Sequence, residues 1–192
     1  MDQVYYAGIA SPIGTIWAAA TEEGLLQVNL PRSEENFIDS VKRRIDAEFI
    51  HDTARFEELG SLLKAYFNGE RVAFDLRFDL RGTEFQRAVW RAMRRIPYGR
   101  LSSYGRLAAA IGRPRAARAV GNAVGANPLG IIIPCHRVIR SDGSLGGFGG
   151  GLDLKRYLLG IEGVLPRTEG VGIEDPKTRD DLRRYFDDQQ QT

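Results

Sequence analysis

The charged residues of this chain are segregated, and the segregation divides the chain into parts of different character. Residues 81–160 carry 14 Lys and Arg against 3 acidic residues, a net charge of +11, and 13 of those bases are Arg. The rest of the chain carries 13 basic and 22 acidic residues, so the overall charge of +2 conceals the difference. The composition changes at about residues 79–82, which predicts a domain boundary there.

A block as one-sided as residues 81–160 favours a polyanionic partner such as nucleic acid. Concentrated like charges repel one another until an opposite surface neutralises them. On charge alone, a solvated basic face that docks on the acidic part of the chain remains the alternative.

The composition also narrows the class of protein. Hydrophobic residues make up 43% of the 192 residues, which predicts a folded globular protein with one or two domains. No apolar run of about 18 residues is present, so no membrane association is expected. Residues 1–14 lack the basic and apolar regions of a signal peptide, so a cytoplasmic location is expected.

The first part of the chain, residues 1–80, is predicted to be a small α/β domain. Short apolar runs separated by turn residues indicate β structure over residues 3–30. Helices are predicted at about 33–45 and 56–67, followed by a strand near 74–78. This part contains no recognisable catalytic motif.

The second part, residues 81–163, is predicted to be mainly helical. Its first helix begins at a capping box that starts with Thr83. Two short helices follow at about 104–111 and 115–124, and residues 112–114 form a glycine turn between them. This order is typical of a helix-turn-helix, although any pair of helices that meet at a corner looks similar.

The end of this part combines a cysteine motif with a glycine-rich loop. The run Pro134-Cys135-His136-Arg137 is followed by the loop at 146–151 and by a helix at about 152–161. Residues 164–192 are a polar C-terminal tail, with a short helix predicted at 180–186.

Cys135 is the only cysteine, which limits its role. A single thiol cannot form an internal disulfide or supply a cysteine-based zinc site. The two histidines, His51 and His136, are far apart in sequence, so no structural metal is expected. Composition alone favours a buried filler residue, and a nucleophile is the alternative.

The neighbours of Cys135 favour the nucleophile. His136 can accept the thiol proton, and the guanidinium of Arg137 can favour the thiolate. Asn127 offers an amide that can hold the loop. Glu162, at the end of an apolar helix, is a candidate to orient the histidine, although a solvated residue at a helix end has the same spacing.

The run Pro134-Cys135-His136-Arg137-Val138, with residues 121–128 before it, resembles the O6-alkylguanine-DNA alkyltransferases, or methylated-DNA–protein-cysteine methyltransferases. The resemblance covers about residues 83–163, including Ser103-Tyr104 and residues 116–121. It implies an α/β N-terminal domain, ribonuclease-H-like, followed by a mainly α-helical C-terminal domain with a helix-turn-helix.

The resemblance implies DNA repair by direct reversal of damage. A methyl or other alkyl group would pass irreversibly from O6-alkylguanine in double-stranded DNA to Cys135, once per molecule, with O4-alkylthymine as a further candidate substrate. No metal or organic cofactor is implied. The protein is expected to act as a monomer, near the nucleoid in the cytoplasm or in a eukaryotic nucleus, and clustering along DNA is left open.

The resemblance also implies a catalytic role for five residues. Cys135 would accept the alkyl group, His136 would deprotonate it through a bound water, and Glu162 would orient His136. Asn127 would brace the active-site turn. Tyr104 would donate its hydroxyl to the guanine ring and press on the target phosphate to rotate the nucleotide.

Five further residues are implied to contact DNA or the base. Arg118 would enter the base stack and fill the space left by the extruded nucleotide. Arg113 and Ser141 would contact the DNA backbone. Phe148 and Gly149 would line the base pocket, where family members often carry Tyr and Ser or Trp, so the preference for larger alkyl groups is left open.

Three alternatives remain at this point. A non-catalytic damage sensor on the same scaffold would lack the acceptor cysteine. A helix-turn-helix regulator with Cys135 as a redox sensor would need a dimer interface. A cysteine hydrolase would need an oxyanion hole and would leave Arg118 and the basic block unexplained.

Overall fold

The computed structural model describes residues 2–165, so the predicted helix at 180–186 lies outside the described residues. The chain divides into two compact units. Of the described residues, the first unit contains 2–81 together with Pro128–Ile132, and the second contains Gly82–Asn127 and 133–165. Within residues 2–165, no helix is long and apolar enough to cross a membrane.

The first unit is built on a four-stranded mixed sheet. Its strands are β1 (Asp2–Ile9), β2 (Ile16–Thr21), β3 (Gly24–Asn29) and β4 (Ala47–His51). They lie in the order β3-β2-β1-β4, with β1 and β4 parallel and the other pairs antiparallel. The β structure predicted over residues 3–30 corresponds to the first three strands.

Helix α1 (Glu34–Lys42) covers one face of this sheet. Ser33 caps it by accepting a hydrogen bond from the N–H of Asn36 at 3.3 Å. Its apolar side chains, Phe37 and Val41, are fully buried against residues of β1, β2 and β3. Helix α2 (Glu57–Phe67) buries four apolar side chains in the same unit.

The outer edge of β3 is covered by two distant segments of the chain. Leu25 forms a parallel bridge with Phe78. Val28 exchanges two backbone hydrogen bonds, at 2.8 and 2.9 Å, with the segment Pro128–Ile132. In that segment Ile131 has φ +68°, a strained conformation for a β-branched residue. The segment that precedes the cysteine motif is therefore fixed to an edge strand.

Two local predictions differ from the structure. The strand predicted near residues 74–78 is wrong, because this segment contributes only the single bridge at Phe78. Strand β4 was not predicted, since its five residues are few and the adjacent apolar residues Phe49 and Ile50 break the alternation. It forms because β1 offers a parallel edge that lies more than 40 residues earlier in the chain.

The second unit is mainly helical, as predicted. Its helices are α3 (Glu84–Arg94), α4 (Tyr104–Ala110), α5 (Ala117–Gly125) and α6 (Leu152–Ile161). The predicted capping box is present, since Thr83 and Gln86 each accept a backbone hydrogen bond from the other. The indole N–H of Trp90, a fully buried residue, donates to the carbonyl of Ala123 at 2.8 Å and ties α3 to α5.

A short parallel pair of strands brings two functional segments together in this unit. Strand β5 (Ser102–Ser103) pairs with β6 (Val138–Ile139). β5 leads directly into α4, and β6 follows the short 3-10 helix Cys135–Arg137. The first residue of α4 therefore lies at one end of this two-residue pair and the cysteine helix at the other. The predicted α/β-then-helical fold class is confirmed.

Alanine substitutions at two glycines of the first unit should have opposite effects on the free energy of unfolding. Gly24→Ala should lower the free energy of unfolding by about 2 kcal/mol or more, because φ is +140° there and a Cβ would collide with the carbonyl group of Arg77. Gly60→Ala should raise it by about 0.5–1 kcal/mol, because Gly60 lies inside α2 with room for a methyl group.

Urea unfolding of the two variants beside the parent protein measures both effects. Equal stability of the two variants would contradict the close approach of Gly24 to residue 77.

Candidate active site

Cys135 begins the short 3-10 helix and is half-buried. Its N–H donates to the carbonyl of Ile133 at 2.8 Å, which closes a tight turn ahead of the thiol. Burial raises the pKa of the Cys135 thiol, while a hydrogen bond from Asn127 and the charge of Lys155 act to lower it. The thiol therefore carries its proton at neutral pH and needs a base.

Asn127 holds the ends of the loop that precedes the thiol. Its side-chain Nδ2 donates to the carbonyl of Ile133 at 2.7 Å. This hydrogen bond joins the residue at which the chain leaves the second unit to the residue at which it returns. Asn127 thus lies where a brace for the active-site turn is needed.

His136 and Glu162 form a buried pair. His136 Nε2 lies 2.6 Å from Glu162 Oε1, and both side chains are fully buried. Burial lowers the pKa of His136, and the neighbouring carboxylate opposes this effect. Burial alone would raise the pKa of Glu162, but His136 and then Arg137 outweigh it and lower that pKa to about 2. Glu162 is therefore ionised.

The structure corrects the expectation that Arg137 favours the thiolate. Its guanidinium binds Glu162 instead, with Nε at 2.9 Å from Oε2 and Nη2 at 3.0 Å from Oε1. Nη1 donates to the carbonyl of Ile96 at 2.6 Å. The backbone N–H of Gly99 donates to Glu162 Oε2 at 3.0 Å. Sequence reasoning missed Gly99, which is recognisable only as a turn residue.

Tyr104 starts α4, directly after β5. Ser103 caps the helix by accepting from the N–H of Arg106 at 3.2 Å. A Cβ on Gly121 would lie 3.8 Å from the ring, and a Cβ on Gly146 would lie 2.8 Å from the hydroxyl oxygen. Burial raises the pKa of Tyr104, and the nearby Cys135 adds to the effect. The phenol is therefore a hydrogen-bond donor at neutral pH.

Lys155 is a buried cation that the sequence analysis missed. It is fully buried on α6, and its Nζ donates to the carbonyl of Val138 at 2.6 Å and to that of Leu145. Burial lowers its pKa to about 8. Its position four residues before Leu159, on the buried face of α6, is the signal that could have identified it.

The residues predicted to contact DNA or the base are exposed or half-buried. Arg118 is exposed in the first turn of α5, and Arg113 is exposed in the connection between α4 and α5. Ser141 is exposed in the turn after β6. Phe148 is half-buried, with Lys155 Nζ 6.0 Å from the centre of its ring, while Gly149 is exposed.

The structure thus brings the five predicted catalytic residues into one unit and connects them. Hydrogen bonds join His136 to Glu162 and Asn127 to the cysteine loop, and Cys135 lies near enough to Tyr104 to raise the pKa of its hydroxyl, in addition to burial. Among the described residues, no three His, Cys, Asp or Glu side chains are grouped so that they could hold a metal ion.

Comparison with known proteins covers both units. The ribonuclease-like domain of 6-O-methylguanine DNA methyltransferase matches residues 4–80, and the DNA-binding domain of the same enzyme matches residues 84–164. The chain is 44% identical over 160 residues to the methylated-DNA–protein-cysteine methyltransferase of Methanosarcina acetivorans, which spans 83% of this chain and 99% of that protein. Identity to the protein of the same name from Mycobacterium tuberculosis is 45% over 159 residues, 83% of this chain and 92% of that one.

Solved structures agree with this assignment. Mycobacterium tuberculosis OGT in complex with DNA has a TM-score of 0.73 at 43% identity, over 82% of this chain and 92% of that one. The Mycobacterium tuberculosis O6-methylguanine methyltransferase has a TM-score of 0.72 at 41% identity, over 90% and 96% of the two chains. The chain therefore belongs to the methylated-DNA–protein-cysteine methyltransferase family.

Proposed function

We propose that this protein repairs DNA directly, by moving the methyl or other alkyl group of O6-alkylguanine irreversibly onto its own Cys135. The observation that carries the proposal is the lone thiol on a turn beside a buried histidine–carboxylate pair. Since the relatives are named for methyl transfer from DNA to a protein cysteine, the same reaction is assigned to this site.

The resting site suits a nucleophile that is activated only when needed. The raised pKa keeps the Cys135 thiol protonated, and the lowered pKa keeps His136 neutral and able to accept a proton. Glu162 Oε1 faces Nε2 of His136, which leaves Nδ1 as the accepting atom. His136 is therefore a base, with Glu162 as its fixed partner.

The transfer itself is a displacement at carbon. The thiol proton passes to His136, the sulfur forms a bond to the alkyl carbon, and the bond from that carbon to O6 of guanine breaks. The electron pair of the broken bond stays on the guanine, where the protonated hydroxyl of Tyr104 donates a hydrogen bond to the developing charge. The alkyl group thus passes in one direction, from O6 of guanine to the sulfur of Cys135.

The target carbon lies inside a duplex, so the nucleotide has to leave the base stack first. An O6-alkylated guanine pairs badly, which lowers the cost of extrusion selectively. Arg118, exposed at the start of α5, fills the gap with a planar cation that stacks. Each chain carries a complete set of these residues, so one copy is sufficient for repair.

The sulfur chemistry predicts a single turnover. A thioether has no good leaving group at neutral pH, and no second thiol exists in the chain to remove the alkyl group. Limiting protein mixed with excess alkylated duplex should gain one alkyl group per chain, located on Cys135 by intact mass and peptide mapping. Cys135→Ser should transfer nothing and still bind DNA. Transfer of more than one equivalent of alkyl group per chain would refute the irreversible mechanism.

Arg118→Ala should slow repair of duplex DNA much more than reaction with the free alkylated base, because the side chain acts in extrusion rather than in bond breaking. Tyr104→Phe should slow both reactions, because the hydroxyl assists the leaving group. Single-turnover rates on the two substrates measure the difference. Equal losses on both substrates in Arg118→Ala would remove its assignment to extrusion.

Affinity for DNA should fall with salt, because each phosphate contact releases counterions. Arg113→Ala should weaken binding to all sequences alike and reduce the slope of log affinity against log salt by about 1. Arg77→Ala, in the first unit, also removes an exposed positive charge, one that lies 3.7 Å from Glu23, and is the control. The assignment of Arg113 fails if both variants change the slope equally.

A further inference from the structure

We propose that Arg137 is a positioning residue of the transfer reaction, which neutralises Glu162 and thereby sets how readily His136 accepts the proton of Cys135. This inference rests on the proposed function, because it concerns the base of that reaction. The arginine of the cysteine motif thus acts on Glu162, instead of stabilising the thiolate of Cys135.

The carboxylate of Glu162 is shared among four donors. Oε1 lies 2.6 Å from His136 Nε2 and accepts from Arg137 Nη2 at 3.0 Å. Oε2 accepts from Arg137 Nε at 2.9 Å and from the N–H of Gly99 at 3.0 Å. Arg137 Nε also donates to Oε1 at 3.2 Å. Both oxygens therefore contact the guanidinium, and each has one further donor, so hydrogen bonds from the protein stabilise the buried anion.

Arg137 is itself held in place. Its Nη1 donates to the carbonyl of Ile96 at 2.6 Å, and its guanidinium lies 5.9 Å from the centre of the Tyr98 ring. The hydroxyl of Tyr98 donates to the carbonyl of Ile161 at 2.9 Å, next to Glu162. Gly99, at φ +68°, completes this turn. The turn and the arginine thus form a rigid support behind the carboxylate.

The support from Arg137 changes the effect of Glu162 on the pKa of His136. An unpaired carboxylate in a buried site strongly favours the imidazolium, and a histidine that is already protonated cannot accept the proton of Cys135. The charge of Arg137 offsets the carboxylate and acts to lower the pKa of His136, in the same direction as burial. Glu162 can then orient the ring without protonating it.

The other charged group that acts on His136 is Lys155, from α6, and it also acts to lower the pKa of His136. Cys135 is the adjacent titratable residue. Because Lys155 contacts the carbonyls of Val138 and Leu145, not Glu162, its effect is separable from that of Arg137.

The chain offers a direct readout, because it contains two histidines. In Arg137→Gln, NMR titration of the imidazole resonances should show the midpoint of His136 raised by about 1 pH unit or more. His51, an exposed residue of the first unit, is the internal control and should not move. The acid limb of the rate profile for alkyl transfer should shift upward by the same interval. Arg137→Lys, which keeps the charge, should return both toward the parent values.

A folded Arg137→Gln protein with an unchanged His136 midpoint would overturn the inference. If that variant does not fold, Glu162→Gln and the double variant Arg137→Gln/Glu162→Gln replace it, because removing both charges leaves no unpaired buried ion. The His136 midpoint should then be higher in the double variant than in Glu162→Gln, and equal midpoints would refute the role of Arg137. Failure of the parent protein to transfer an alkyl group would refute the proposed function instead.

Discussion

The buried carboxylate of Glu162 is the interaction on which the second unit depends. A carboxylate removed from water is stable only when donors surround it, and here the donors come from two other segments of the chain, the turn at Gly99 and the cysteine helix with His136 and Arg137. The end of α6, the cysteine helix and the turn at Ile96–Gly99 are therefore fixed relative to one another by one anion. Any of the three segments that moved away would leave a charge without its partners.

The same arrangement explains how a reactive cysteine can be kept in a resting state. With the thiol and the imidazole both uncharged, the charges of Glu162 and Arg137 offset each other, and Lys155 is a further cation that acts on Cys135. A protein that reacts only once is inactivated when another electrophile reaches its nucleophile before the substrate does. Because the thiol is neutral at rest, the reactive thiolate forms only when a substrate is bound.

How much the sequence could predict depended on the range of the interactions involved. The capping box at Thr83 and the helix ending at Glu162 follow from local patterns and were predicted correctly. Strand β4 depends on a parallel partner far away in the chain, so no local pattern indicates it. Arg137 was assigned the wrong partner, and Lys155 was missed, for a related reason. A cation in a sequence is expected to face solvent, and only the fold shows which carbonyls and carboxylates replace the water. The residue roles taken from the family resemblance remain predictions.

The covered edge of β3 has a consequence for how the chain is made. Strand β3 ends at Asn29, but one of its two covering segments, Pro128–Ile132, is synthesised about a hundred residues later. During synthesis the edge of β3 is therefore covered at Leu25 by the segment at Phe78 but stays open at Val28 until most of the second unit has also been translated, and an open strand edge can pair with other chains. A gene fragment that stops near residue 81 would encode a sheet whose edge stays open at Val28.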